Sequence, residues 1–282
     1  MTSQTGILAP VPRAGRYLQL RCTGSAEAAL RALSTLDCDP NIVVGIGPGL
    51  ARLLTLEVPG LRPFPALDGV PMAIPTTPVD LWLWVRGDDS GQVLHRGRQA
   101  TRELESAFVL DHVVDAFKHR DGRDLSGYVD GTENPEGEDA SRAALLADGS
   151  SFCSVQQWVH DWATLDAMSR GQQDHAIGRR LSDNEELDDA PPSAHVKRTA
   201  QEDFEPEAFV VRRSMPWSTP AANGLMFTAF GATLDAFEAQ LRRMCGLDDG
   251  IIDGLFQFTR PVSGFYVWCP PVVDGRLVMA PA

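Results

Sequence analysis

Three short stretches hold the residue types that chemistry needs. The first is Gly127-Tyr128-Val129-Asp130-Gly131-Thr132-Glu133-Asn134-Pro135. Asp-Gly and Asn-Pro are turn dipeptides, so Asp130 stands where the chain reverses. A carboxylate there either organises the turn through nearby N–H groups or is a positioned acid–base group. The second stretch is Ser193-Ala194-His195-Val196-Lys197-Arg198-Thr199, following Pro191-Pro192. His195 is either a solvated loop residue or a ligand. None of His95, His112, His119, His160 and His175 pairs with another histidine at metal-binding spacing. One imidazole is nevertheless enough to hold a haem iron. The third stretch is Val211-Arg212-Arg213-Ser214-Met215-Pro216-Trp217. If it is a strand, Arg212 and Ser214 share one face and Arg213 takes the other. An arginine in such an apolar run either snorkels at a sheet edge or serves as a fixed buried charge.

The elements that must position these residues repeat a pattern. Residues 16–22 alternate apolar and polar, which predicts a strand. A helix over 25–36 is capped by Ser25, and strands follow at 41–46 and 79–85. A helix capped by Ser90 carries Val93, Leu94, Ala100, Leu104 and Ala107 at close to helical spacing, and 108–117 closes the set. The second half predicts a strand over 152–160, a helix opening at Asp161 and strands over 208–214 and 224–230. A helix opening at Thr233 and a last strand over 264–269 complete it. The order βαββαβ occurs twice. This predicts an α+β fold of two ferredoxin-like domains with antiparallel sheets, divided as 1–140 and 141–282. Residues 119–150, rich in Gly, Asp, Glu and Asn, form a long irregular connection of the kind that carries function.

Composition removes several classes. With 25 Lys plus Arg against 38 Asp plus Glu, the net charge of −13 argues against nucleic acid and anionic membrane surfaces as partners. No apolar run reaches the length of a membrane span. Five cysteines without a Cys-x-x-Cys predict reduced thiols, not a disulfide framework or covalently attached haem. The first residues lack an apolar leader or twin arginines, so the cytoplasm is the expected location.

Together the three stretches resemble the dye-decolorising peroxidases, type B members in particular. The family pattern Gly-x-x-Asp-Gly-Thr-x-Asn-Pro is met at every fixed position by residues 127–135, and His195 and Arg212 follow at compatible spacing. Gln157-Trp158-Val159-His160-Asp161, Gly178-Arg179, Asp253-Gly254-Leu255 and residues 258–264 resemble the family as well. The aspartyl phosphotransferases also carry Asp-Gly-Thr, but Tyr128 stands where their second Asp is expected.

The resemblance implies two ferredoxin-like domains and one haem b per chain, bound in the C-terminal domain. His195 would be the iron ligand, with Asp253 on its other nitrogen. Asp130, Arg212 and Ser214 would line the opposite face, where hydrogen peroxide binds. Gly131 and Thr132 would adjoin the cofactor, and Arg198 would meet a haem propionate. The implied reaction oxidises phenolic, dye-like or other one-electron donors with hydrogen peroxide through a ferryl state. The alternatives are another haem activity (iron release or chlorite breakdown) and a haem carrier, which would not need Asp130 and Arg212 beside the iron. Trp158, Trp162, Trp217, Tyr128 and Tyr266 are either an electron path or core packing. Ala194 and Ser214 stand where many members have Ser and Asn. The acidic surface is expected to disfavour anionic donors at long range. Assembly into a homo-oligomer of two to six chains is expected. Cargo in an encapsulin shell is not, because the chain ends soon after its last strand.

Overall fold

Alternating and apolar runs become strands in the expected order, in a computed structural model that describes residues 2–67 and 69–279. The first half runs β1 (Ala14–Cys22), α1 (Ala26–Thr35), β2 (Ile42–Ile46), α2 (Pro48–Leu53), β3 (Leu81–Gly87), α3 (Ser90–Leu104) and β4 (Phe108–Phe117). Then come α4 (Gly137–Ala144), β5 (Ser151–His160), α5 (Trp162–Ala167), α6 (Arg170–Ile177) and α7 (His195–Arg198). The rest is β6 (Val211–Arg212), β7 (Met215–Ser218), β8 (Asn223–Gly231), α8 (Asp235–Met244), β9 (Thr259–Pro261), β10 (Phe265–Cys269) and the hairpin β11 (Val272–Val273) with β12 (Arg276–Leu277).

Helix starts follow side-chain capping. Ser25 accepts the Ala28 N–H and Asp161 the Thr164 N–H, as expected. For α3 the cap is Asp89, one residue earlier than Ser90, because its carboxylate takes the Gln92 N–H at 2.8 Å. The strand expected over 208–214 is broken. Only Val211 and Arg212 pair with β8, and the chain then shifts into β7, where Pro216 is tolerated.

The fold is α+β, and all strand pairs are antiparallel. The first half is ordered β4-β1-β3-β2 and the second β7-β8-β5-β10. The two sheets are not separate. Ile46 of β2 pairs with Trp268 of β10, and Ala116 of β4 pairs with Trp217 of β7, closing the strands into a ring. Closure covers edges that two open sheets would leave unpaired.

β3 shows why its sequence is apolar without alternation. Leu81, Leu83 and Val85 pack with Leu33, Ala100 and Leu104 of α1 and α3. Trp82 and Trp84 join the core inside the ring with Tyr17, Val155 and Phe230. Both faces are covered, so both sets are apolar. Gly224 on β8 lies against β5 so closely that a Cβ would fall 2.1 Å from the Trp158 carbonyl oxygen. No other residue fits that register.

Candidate active site

Between β4 and α4 the chain builds a knot of turns. The Asp124 N–H donates to the Tyr128 carbonyl at 2.9 Å, and the Gly127 N–H donates back to the Asp124 carbonyl. Gly127 holds φ 97°, a left-handed conformation that glycine adopts without strain. The base of the knot is fixed to β5, where His160 Nε2 lies 3.0 Å from Asp124 Oδ1 and His160 Nδ1 lies 2.9 Å from the Thr259 hydroxyl. Burial pushes the Asp124 carboxyl up, but the bond and charge of His160 and the bonds from Ser126 outweigh it and hold the group below the usual carboxylate range.

The tip of the knot is fixed to β6. Asn134 Oδ1 accepts the Arg212 N–H at 2.7 Å, and Asn134 Nδ2 donates to the Arg212 carbonyl at 3.1 Å. This two-way amide contact brings the Asp130 loop beside Arg212, although the residues are distant in sequence. Asn134→Ala would leave both main-chain groups of Arg212 without that partner. We expect a loss of about 1–3 kcal/mol of stability, read as a lowered thermal midpoint; an unchanged midpoint would show the clamp to be dispensable.

His195 opens α7. Its Nδ1–H donates to Asp253 Oδ2 at 2.8 Å, and the Asp253 side chain is fully buried. Asp253 Oδ1 accepts the Leu255 N–H at 2.8 Å, and the Gly254 N–H donates to the Ser193 carbonyl at 2.7 Å. The ring is therefore held on one side, and Nε2 is its free nitrogen. Gly254 is obligatory here, since a Cβ would fall 2.6 Å from the Ala176 carbonyl oxygen.

His195, Asp130 and Arg212 line one cavity, with about 890 Å³ of empty space including what lies open to solvent. Phe227, Phe237, Leu241, Met244 and Phe258 supply apolar wall. Arg212 Nε and Gln156 Nε2 are buried without a protein partner, and both residues line the cavity. Orphaned buried donors of this kind point to a missing polar ligand.

The other expected site residues fall elsewhere. Ser214 and Gly131 line a second, outer pocket, and Ser214 Oγ is buried without a partner. Thr132 lines neither pocket. Arg198 is buried and does not line the cavity; both terminal nitrogens lie on Asp249 at 2.7 and 2.8 Å and one also on the Arg243 carbonyl. A guanidinium so paired ties α7 to the loop after α8, and it holds the Asp249 carboxyl below its ordinary range. Arg213 reaches back to the Leu8 carbonyl, on the chain's first segment. Among the aromatics, Trp158 and Tyr128 line the cavity, while Trp217 and Tyr266 are core. Trp162 stands edge-on to His160, with ring centres 5.7 Å apart. The sequence reading gave His160 and Asp124 no role; only the Gln157-to-Asp161 resemblance pointed at His160.

The comparisons with known proteins agree with this geometry. Residues 121–274 match the family model described as Dyp-type peroxidase, C-terminal. A dye-decolorizing peroxidase of Mycobacterium tuberculosis is 31% identical over 293 residues, covering 94% of this chain and 88% of that one. A dye-decolorizing protein from V. cholerae superposes with a TM-score of 0.84 at 28% identity, covering 94% of this chain and 96% of that one. A DypB variant from Rhodococcus jostii RHA1 in complex with haem gives 0.83 at 28% identity, over 93% and 94% of the two chains. The encapsulated DyP-type peroxidase from Mycobacterium smegmatis gives 0.84 at 27% identity, over 94% of each. Among the described residues no helix is long and apolar enough to cross a membrane.

Proposed function

The chain belongs to the Dyp-type peroxidase family, and on that premise we propose that its reaction runs in the cavity between His195 and the pair Asp130 and Arg212. It is a haem peroxidase that uses hydrogen peroxide to oxidise one-electron donors such as phenols and dyes. Each turnover takes one electron and one proton from each of two donors, and peroxide accepts both to leave two waters. The single observation that carries the residue assignment is that these three side chains, from three separate motifs, line one cavity.

The residues fit the group. Neutral His195 offers a lone pair at Nε2, and the buried carboxylate on Nδ1–H fixes the ring and increases its electron donation. The apolar wall suits the flat faces of a tetrapyrrole, and the orphaned donors of Gln156 and Arg212 suit polar atoms beside it. When bound, haem would supply the redox-active iron needed to reduce peroxide at the donors' expense. The Asp130 carboxylate takes a proton from one peroxide oxygen and returns it to the other, which leaves as water. The Arg212 guanidinium stabilises negative charge on the departing oxygen. Ser214, whose buried hydroxyl lacks a protein partner beside the outer pocket, supplies a hydrogen bond for peroxide on its way in.

The finer architecture is part of the same proposal. Each half has the strand order of a ferredoxin-like unit, with the boundary near residue 140 and haem held chiefly by the second half. Five unpaired thiols suit a reducing compartment, the cytoplasm. Assembly into two to six copies rests on the family resemblance. The encapsulated neighbour shares this fold over nearly its whole length, so the fold itself does not exclude shell capture.

Titration of the chain with haem tests the reading. A Soret band saturating at one haem per chain, with peroxide-dependent oxidation of phenol, is expected. A chain that takes up no haem would overturn it.

A further inference from the structure

No contact of the Arg212 side chain fixes its aim. Its Nε has no protein partner, and its guanidinium forms no ion pair among the described residues, although Asp130 and Glu136 line the outer pocket with it. Its direction therefore comes from its main chain. The N–H and the carbonyl are both taken by Asn134. The carbonyl also accepts a second bond, from Arg213 Nη1 at 3.0 Å.

Arg213 carries that second grip to a distant part of the chain. Its own N–H donates to the Thr228 carbonyl of β8 at 2.8 Å. Its Nη2 donates to the carbonyl of Leu8, 205 residues earlier, at 2.7 Å. One planar guanidinium thus joins the Arg212 carbonyl to the segment before β1.

A tie is only as firm as its far end, and this end is built in. Residues 4–10 form a strap in which arginines take the carbonyls of Gly6, Leu8 and Pro10. The Gly6 and Pro10 bonds come from Arg86 of β3, whose guanidinium carbon lies 4.6 Å from the centre of the Trp84 ring. The buried Gln4 pins the start of the strap across the seam between β2 and β10. Its Nε2 donates to the Val44 and Pro270 carbonyls at 2.8 and 2.9 Å, and its Oε1 accepts the Val44 N–H at 2.7 Å. Asp88 attracts Arg86 from a distance, but neither Arg86 nor Arg213 forms an ion pair among the described residues. Burial, and then the charge of Arg213, lowers the Arg86 guanidinium to about 10; burial also lowers Arg213 below its ordinary range. Release of the strap would leave two like charges buried without acceptors, which is costly. The strap therefore stays in place.

We propose that Arg213 is a positioning residue for the reaction with peroxide: it transmits the rigidity of the strap to the Arg212 main chain and so aims that guanidinium. The proposal rests on the peroxidase reading for its chemistry, but the tie itself does not require haem.

Peroxide rate constants of four haem-loaded chains test it: wild type, Arg213→Ala, Arg212→Ala and the double variant. Arg213→Ala should slow the reaction about tenfold, within the loss that a small misplacement can cause. In the Arg212→Ala background the same change should matter less than about twofold, because no guanidinium remains to be aimed. Equal losses in both backgrounds would overturn the proposal. Arg213→Lys keeps the charge but not the planar fork, so it should recover little of the rate; full recovery would assign the effect to charge and overturn positioning. In the haem-free chain the Arg212 amide, held by Asn134, should exchange its hydrogen about tenfold faster in Arg213→Ala than in wild type. Unchanged exchange would overturn the tie. A wild-type chain that takes up no haem, with the exchange difference present, would instead overturn the peroxidase reading and leave the tie standing.

Discussion

Arg212→Ala should leave haem bound and slow the reaction with hydrogen peroxide by about 10²–10³-fold, the usual cost of removing one preorganised charge-stabilising group. The side chain is buried, its main chain is clamped by Asn134, and its Nε has no protein partner. Such a guanidinium is already aimed and needs no reorganisation when charge develops. Asp130→Ala should cost about 10²–10⁴-fold by loss of the proton carrier. Stopped-flow decay of the Soret band against peroxide concentration measures both. The ratio of the two losses tells which group dominates. Unchanged kinetics in both variants would reject the assigned roles.

His195→Ala should lose haem affinity by more than the roughly 10–100-fold that follows when only an outer partner of a metal ligand is removed. Asp253→Asn should fall within that range. The two differ because His195 presents the free Nε2, whereas Asp253 acts through Nδ1. His195→Ala also strands a fully buried carboxylate, so some loss of stability should accompany it. Added imidazole should restore haem binding to that variant if the role is ligation. Haem uptake at native affinity without imidazole would show that the iron is held elsewhere.

The site was more legible than its surroundings. Asp130, His195 and Arg212 were each ambiguous by residue type, and only their joint order singled them out. The structure brings all three to one cavity. Arg198 was less legible because a guanidinium suits any carboxylate, and nothing in the sequence singles out Asp249 as its partner. The neighbouring acids Asp248, Asp249 and Asp253 could not be told apart by spacing. In space they serve Arg242, Arg198 and His195 separately. Apolar periodicity gave both sets of strands, but the ring escaped it. Each seam rests on one register pair between distant segments, and a strand's own pattern does not record which edge it will meet.

The amide clamp between Asn134 and Arg212 has a protective consequence. Iron that reacts with peroxide without controlled proton delivery is a hazard to the chain that carries it. On the proposed roles, the proton carrier sits on the loop between β4 and α4, while the iron ligand on α7 and the cation on β6 come much later in the chain. No single element contains the complete machinery. A nascent or damaged chain that captured the metal early would lack the means to split peroxide efficiently, so assembly of the whole molecule works as an interlock on its own reactivity.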